Sequence, residues 1–335
     1  MRDGVCVRVR SLVKVYAGTV RAVDGVSTEV LDGEIRAFLG PNGAGKTTLM
    51  RVLTTQLKPT AGDAWVMGYH VVLEAAKVRG VIGYVPQEFS VWNDLTGYEN
   101  LLIYAKLYGV PSDERRRVIE EALEFMGLSE AANRLVRTYS GGMIRRLELA
   151  AALMVRPKVL FLDEPTIGLD PRARSLVWSR VLEYREEYGT TVVFNTHYMD
   201  EAERYAERVT VMNRGRVIAE GSPGELMKLV GEGVVLQIRV NGDAHAALNA
   251  LSGLEGVVVV SSENPLKVKL ADAQQGIARV LGALLARGVG VEEVVVRNPS
   301  LEDVFLKLTG MTIEEAEALG YREAAWVRRA IRRGG

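Results

Sequence analysis

Near the start of the chain, apolar positions alternate with others: Val5, Val7 and Val9, then Val13 and Val15, then the stretch Val26 to Leu31. A period of two puts successive side chains on opposite faces of a strand, so this stretch predicts strands with one buried face. Glu34 to Leu39 adds a short strand that ends in a glycine-rich loop, and the segment TTLMRVLTTQL beyond the loop has helical character. Further along, Val159 to Leu162 and Thr191 to Phe194 are continuous apolar runs, the pattern of strands covered on both faces in a parallel sheet. A helix-compatible stretch, Arg172 to Tyr188, separates them. Strand and helix in alternation predict an α/β core built on a parallel sheet. Thr96 to Met126 reads as two or three helices, a helical insert on that core.

The pattern changes near Gly231 to Gly233. Beyond it come a strand (Val234 to Val240), a helix (Ala244 to Leu251), two strands (Val257 to Val260 and Leu266 to Leu270), a helix (Gln274 to Ala286) and a strand (Val289 to Val296). The order β-α-β-β-α-β predicts a small α+β domain of the ferredoxin-like kind. The expected organisation is therefore a main domain over 1–230, a small domain over 231–310 and a helical basic tail over 311–335 ending in Arg328, Arg329, Arg332 and Arg333. Such a tail reads as a solvated helix face or a frayed end, or else as a contact for a membrane surface or partner.

Bulk composition narrows the function. The chain has 335 residues, 48% of them hydrophobic and 25% charged, enough for a large folded core. Lys plus Arg balance Asp plus Glu at 42 each, which argues against a nucleic-acid partner. A single cysteine, Cys6, allows neither an internal disulfide nor a cysteine zinc site and fits a reducing cytoplasm. No apolar stretch reaches the roughly 18–20 residues needed to span a bilayer, and the start MRDGVCVRVR lacks a signal-peptide apolar region. Any membrane role therefore needs a partner.

The strongest chemical signal is GPNGAGKTT: Gly40, Pro41, Asn42, Gly43, Ala44, Gly45, Lys46, Thr47 and Thr48. It fits G-x-x-x-x-G-K-[ST], a loop whose backbone N–H groups wrap a polyphosphate at the positive end of a helix. Lys46 would add charge at the β and γ phosphates, and the Thr47 hydroxyl would ligate Mg²⁺. A second signal is VLFLDEP, Val159 to Pro165, where an apolar strand ends in two carboxylates. Asp163 is placed to hold the Mg²⁺ shell and Glu164 to act as general base on an attacking water.

Between these lies YSGGM, Tyr139 to Met143, which resembles the ABC signature usually written LSGGQ. The chain from Met1 to about Leu229 is similar to ABC-type nucleotide-binding domains. The resemblance implies a P-loop NTPase fold with a parallel-sheet core, an antiparallel β subdomain and a helical subdomain. It implies that ATP is cleaved with Mg²⁺ in a head-to-tail homodimer, with Ser140, Gly141 and Gly142 closing on the nucleotide of the opposite chain. By the same resemblance Gln87 in YVPQEF is the Q-loop glutamine that touches the Mg²⁺ and the water, a metal residue beside Thr47 and Asp163, and Gly168, Leu169 and Asp170 form the D-loop at the dimer interface. His197 in FNTHYMDEAE is the switch histidine, and Tyr16 the aromatic that stacks on adenine. Tyr139 for Leu and Met143 for Gln depart from the family pattern, and the second puts the contact to the nucleotide sugar in doubt. His70 and His245 match no family position.

The stretch SVWNDLTGYENL, the segment from Tyr139 to Pro171 and the ending NPSLEDVFLKLTG resemble the daunorubicin-resistance type of exporter ATPase. That likeness implies a separate multi-span permease, export of a drug-like, lipid or polysaccharide substrate, and a cytoplasmic location on the inner face of the cell membrane. An importer ATPase remains open, as does an ABC protein without transport function.

Overall fold

The computed structural model describes residues 4–17, 19–230, 233–241, 244–262, 264–270 and 273–318. Of the helical basic tail expected over 311–335, residues 319–335, with Arg328, Arg329, Arg332 and Arg333, lie outside the described residues. Two compact units are present, one within Met1–Glu220 and one within Gly221–Gly335.

In chain order the first unit runs β1 (Val5–Tyr16), β2 (Val20–Leu31), β3 (Ile35–Leu39), α1 (Lys46–Leu53), β4 (Ala61–Val66), β5 (Tyr69–His70), α2 (Ala75–Arg79), β6 (Ile82–Val85), α3 (Gly97–Leu107) and α4 (Arg115–Phe125). It continues with α5 (Gly141–Leu153), β7 (Val159–Asp163), α6 (Pro171–Tyr188), β8 (Thr191–Thr196), α7 (Met199–Tyr205), β9 (Arg208–Asn213) and β10 (Arg216–Gly221). A six-stranded sheet has the order β10-β9-β3-β8-β7-β6, and β9, β3, β8, β7 and β6 pair in parallel. β3, β7 and β8 are buried at every position, which is why Val159–Leu162 and Val192–Phe194 are apolar without a break, while the buried polar residues of these strands, Arg36, Asp163 and Asn195 among them, are held by hydrogen bonds. Carboxyl ends of parallel strands are where open α/β sheets place their ligands.

A separate sheet has the order β2-β1-β4-β5 and antiparallel pairing. Here the simple alternation breaks. Val7 and Val9 are buried, but the register of β1 shifts between Val9 and Leu12, where Ser11 takes φ 44°. That bulge moves the buried phase to Leu12 and leaves Val13 and Val15 half-buried. Gly62 opposite it has no room for a side chain, since a Cβ there would lie 2.2 Å from the Ser11 carbonyl oxygen.

The second unit begins with α8 (Pro223–Val230), which packs on α11, so the unit starts at Gly221 rather than at residue 231. It continues β11 (Val234–Asn241), α9 (Ala244–Leu251), β12 (Val257–Ser261), β13 (Leu266–Leu270), α10 (Ala273–Ala286), β14 (Gly290–Arg297) and α11 (Leu301–Thr309). The sheet order β12-β13-β11-β14, antiparallel throughout, gives the split β-α-β topology of a ferredoxin-like domain. Alternation builds its core: Leu236, Ile238 and Val240 from β11 meet Leu266, Val268 and Leu270 from β13.

The stretch NPSLEDVFLKLTG has a local structural account in this unit. Ser300 and Asp303 cap α11 reciprocally, and Arg297 donates Nη1 and Nη2 to the two Asp303 carboxylate oxygens at 2.6 and 2.8 Å. Asp303 is 0% exposed. Asp303→Ala would remove the α11 cap and the carboxylate that the partly buried Arg297 binds, so it should cost this unit about 2 kcal/mol in chemical denaturation. Burial pushes the Asp303 carboxyl up, but Arg297 and Ser300 outweigh burial and hold it below the usual aspartate range. With the folded pKa lowered, this stabilisation is complete above about pH 4 and is lost as pH falls below that. Asp303→Asn should remove that part of the acid sensitivity.

Candidate functional site

The buried strand β3 delivers the chain into Gly40–Thr48 between the ends of β8 and β9. Two glycines there are forced by close approach. A Cβ on Gly40 would sit 2.2 Å from the Met212 carbonyl oxygen, and one on Gly45, at φ 101°, 2.2 Å from that of Ala22. Because Gly45 is the N-cap of α1, no side chain caps that helix, so its first N–H groups are left for a ligand. Lys46 is buried and folds back, donating from Nζ to the carbonyls of Gly40 at 2.6 Å and Pro41 at 3.1 Å. Tyr16 stands at the edge of the loop, 37% exposed, with its hydroxyl 3.5 Å from Thr48 Oγ1.

The tip of β7 faces this loop. Thr47 Oγ1 donates to Asp163 Oδ1 at 3.0 Å, and Glu164 Oε1 lies 3.9 Å from Lys46 Nζ. Glu164 takes φ 50°, a left-handed conformation that costs a residue with a side chain about 1–2 kcal/mol. His197, just past β8, brings Nδ1 to 3.1 Å from Glu164 Oε2. The pair is close enough for electrostatic attraction but misaligned for a hydrogen bond, so Glu164 Oε2 and His197 Nδ1 are both buried without hydrogen-bond partners.

Electrostatics separate the two carboxylates. Burial pushes Asp163 above the usual carboxylate range, against the hydrogen bonds from Asn195 and Thr47. Burial raises Glu164 too, but His197 and the Lys46 ammonium outweigh it and hold Glu164 below its ordinary value. Glu164 is therefore ionised at neutral pH, as a base must be.

The other predicted residues form a second group. Ser140 caps α5 by accepting from Met143 N at 3.3 Å. Gly141 lies against Leu169, and a Cβ on Gly142 would be 2.8 Å from Ala173 Cβ, so these glycines pack on the D-loop and the start of α6. Asp170 caps α6 by accepting from Ala173 N at 2.9 Å. Tyr139, in place of the family leucine, is accommodated by Gly97: its hydroxyl, which donates to the Ala131 carbonyl, would be 2.4 Å from a Cβ there. Gln87 lies in the loop after β6, whose Val85 pairs with Leu162 next to Asp163. The Gln87 carbonyl is held by Arg145 Nη2 at 2.9 Å.

Four residues not singled out from the sequence belong to these groups. Asn195 pairs with Asp163 across the sheet and donates Nδ2 to its Oδ1 at 2.7 Å. Glu201, buried on α7 just after His197, accepts from Thr166 Oγ1 and Trp178 Nε1, each at 2.6 Å, and ties the histidine segment to the loop after β7 and to α6. Arg145 and Glu148 anchor the Gln87 loop. The only sequence signal for Glu201 was its place in the acidic run after His197, which reads equally well as a solvated face.

Residues 23–167 match the family model described as ABC transporter, and residues 221–309 that of the ATP-binding protein DrrA1-3-like, C-terminal domain. The daunorubicin/doxorubicin resistance ATP-binding protein DrrA of Streptomyces peucetius is 44% identical over 304 residues, 89% of this chain and 91% of that protein. The chain belongs to the ABC transporter ATP-binding family. Further relatives of this ABC ATPase include the linearmycin resistance ATP-binding protein LnrL of Bacillus subtilis, 34% identical over 90% of this chain and 98% of that one. The Nod factor export ATP-binding protein I of a Rhizobium species is 39% identical over 90% and 97%. Among solved structures, cbiO1 from Clostridium perfringens, part of the transporter complex cbiONQ, superposes with a TM-score of 0.63 at 31% identity, over 68% of this chain and 93% of that one. A dimeric ATP-binding cassette in a post-hydrolysis state with ADP and Pi does so with 0.59 at 28% identity, over 64% and 98%. ATP is thus the nucleotide, and hydrolysis the reaction, of this family's site.

Proposed function

We propose that this ABC ATPase powers export of a drug-like, lipid or polysaccharide substrate through a separate multi-span permease, working at the inner face of the cell membrane. One observation carries the reading: the likeness to drug-resistance and Nod factor export proteins spans nearly their whole length and includes the C-terminal unit. Among the described residues no helix is long and apolar enough to cross a membrane, so the path for the substrate belongs to a partner.

In the proposed site, the amides of Gly40–Thr48 and the Lys46 ammonium hold the phosphates, and Tyr16 packs on the adenine. Thr47 and Asp163 fit Mg²⁺, since their hydroxyl and carboxylate are adjacent hard oxygen donors. Among the described residues no cluster of three or more His, Cys, Asp or Glu could hold a metal alone, and Gln87, phosphate oxygens and water would supply the further oxygen donors. Bound Mg²⁺ would neutralise phosphate charge. Glu164 takes the proton of the attacking water, while His197 and Gln87 orient that water and the γ-phosphate. Ser140, Gly141, Gly142 and Asp170 complete the site of the opposite chain in a head-to-tail dimer, as the dimeric state of the related cassette supports.

The test is to purify a tagged Glu164→Gln variant with bound ATP from source membranes and identify its companions. One multi-span permease without a solute-binding protein is the expected result. A permease with an extracytoplasmic binding protein would replace export by import, and companions with no membrane protein would defeat the transport reading.

A further inference from the structure

We propose that Arg145 and Glu148 are positioning residues that lock the Gln87 loop to the helix bearing Ser140–Gly142, so that both move as one body in the ATP cycle. The proposal rests on the reading of Gln87 and Ser140–Gly142 as parts of the ATP site.

Arg145 and Glu148 lie one turn apart on α5 and are 1% and 3% exposed. Charged side chains this deep must be paired, and Arg145 Nη1 donates to Glu148 Oε2 at 3.0 Å. The remaining bonds of the pair converge on one loop. Arg145 donates to the carbonyls of Pro86 at 2.6 Å and Gln87 at 2.9 Å. Glu148 Oε1 accepts from Ser90 N at 2.5 Å and Ser90 Oγ at 2.9 Å. The guanidinium also sits 5.2 Å from the Phe89 ring centroid. Every one of these contacts falls on residues 86–90, between β6 and α3.

A buried ion pair is seldom the most stabilising filling for a core, because apolar residues of similar volume do as well or better. What this pair adds is position. It fixes the main chain on both sides of Gln87, at Pro86 and Gln87 through Arg145 and at Ser90 through Glu148. Five residues toward the amino end of the same helix, about 7.5 Å along the axis, is Ser140. A rigid helix thus links the residues proposed to meet the opposite chain's nucleotide with the residue proposed to orient water at this chain's own. If closure of the dimer moves α5, Gln87 follows without any contact of its own.

Arg145→Lys tests this in the full chain, because lysine keeps the charge beside Glu148 but cannot bridge two carbonyls with a planar fork. ATP affinity should stay within about threefold of the parent while kcat falls by about tenfold or more, a split that points to positioning rather than binding. In a Gln87→Ala background the lysine substitution should add no further loss, because it acts through Gln87. Glu148→Gln, which keeps shape and an acceptor for Ser90, provides the same reading should Arg145→Lys fail to fold. Normal turnover in these variants, or losses that multiply with that of Gln87→Ala, would overturn the proposal. An unchanged kcat in Gln87→Ala alone would overturn the assignment of Gln87 and this proposal with it.

Discussion

Glu164→Gln should bind ATP as the parent does and lose turnover by roughly 10²–10⁴-fold, the range expected when a general base is removed. The amide is nearly isosteric, so the loop and its strained φ remain, but it cannot take a proton from water. The effect should appear in kcat and leave nucleotide affinity unchanged, which separates chemistry from binding. The pH profile carries a further sign. Since Glu164 is held below its ordinary carboxylate value by His197 and Lys46, it is ionised at every pH above the ordinary glutamate range. Any fall in rate at higher pH than that must come from another group. Steady-state hydrolysis together with equilibrium ATP binding checks both parts, and turnover equal to the parent would remove Glu164 from its role.

Lys46→Ala should act on binding first. The ammonium lies buried against the loop carbonyls of Gly40 and Pro41 and within 3.9 Å of Glu164, so it is held in place before nucleotide arrives. Charge-assisted hydrogen bonds of this kind contribute about 1.5–3 kcal/mol each. Loss of the side chain should raise the ATP dissociation constant roughly 10- to 100-fold. Titration with a nucleotide reporter checks this; normal affinity would mean that the loop does not hold the phosphates as proposed.

How much of this was legible in the sequence depends on how local each signal is. The Gly40–Thr48 loop could be read as a turn between strand and helix because every residue of it is contiguous, and Gly40 and Gly45 are required by backbone contacts that only the fold reveals, at Met212 and Ala22. The six elements from β11 to β14 fell within a residue or two of expectation because turns punctuate short alternating strands, whereas α8 and α11, which flank them, were not read from the sequence. The bulge at Ser11 was invisible, since nothing in an alternating stretch announces a change of phase. Arg145 and Glu148 were missed for a different reason. An arginine and a glutamate spaced one helical turn apart read as a solvated pair, and their partners lie 58 or 59 residues away. Tyr139 looked like a plain departure from the family leucine until its hydroxyl was found against Gly97. Long-range polar contacts of this sort leave no periodic trace.

Completion of each ATP site by a second chain is the centre of the account, and one measurement reaches it most directly. The complex carrying Glu164→Gln is loaded with ATP and Mg²⁺, freed of unbound nucleotide, and its retained ATP counted with and without Ser140→Arg. Ser140 caps a helix that packs on the D-loop and α6, apart from the Lys46 and Glu164 cluster of its own chain, and loss of the cap costs only about 1 kcal/mol. The account predicts that Glu164→Gln alone retains ATP in a dimer and that adding Ser140→Arg releases both nucleotide and dimer. Equal retention in the two proteins would contradict it, because the site would then be complete within a single chain.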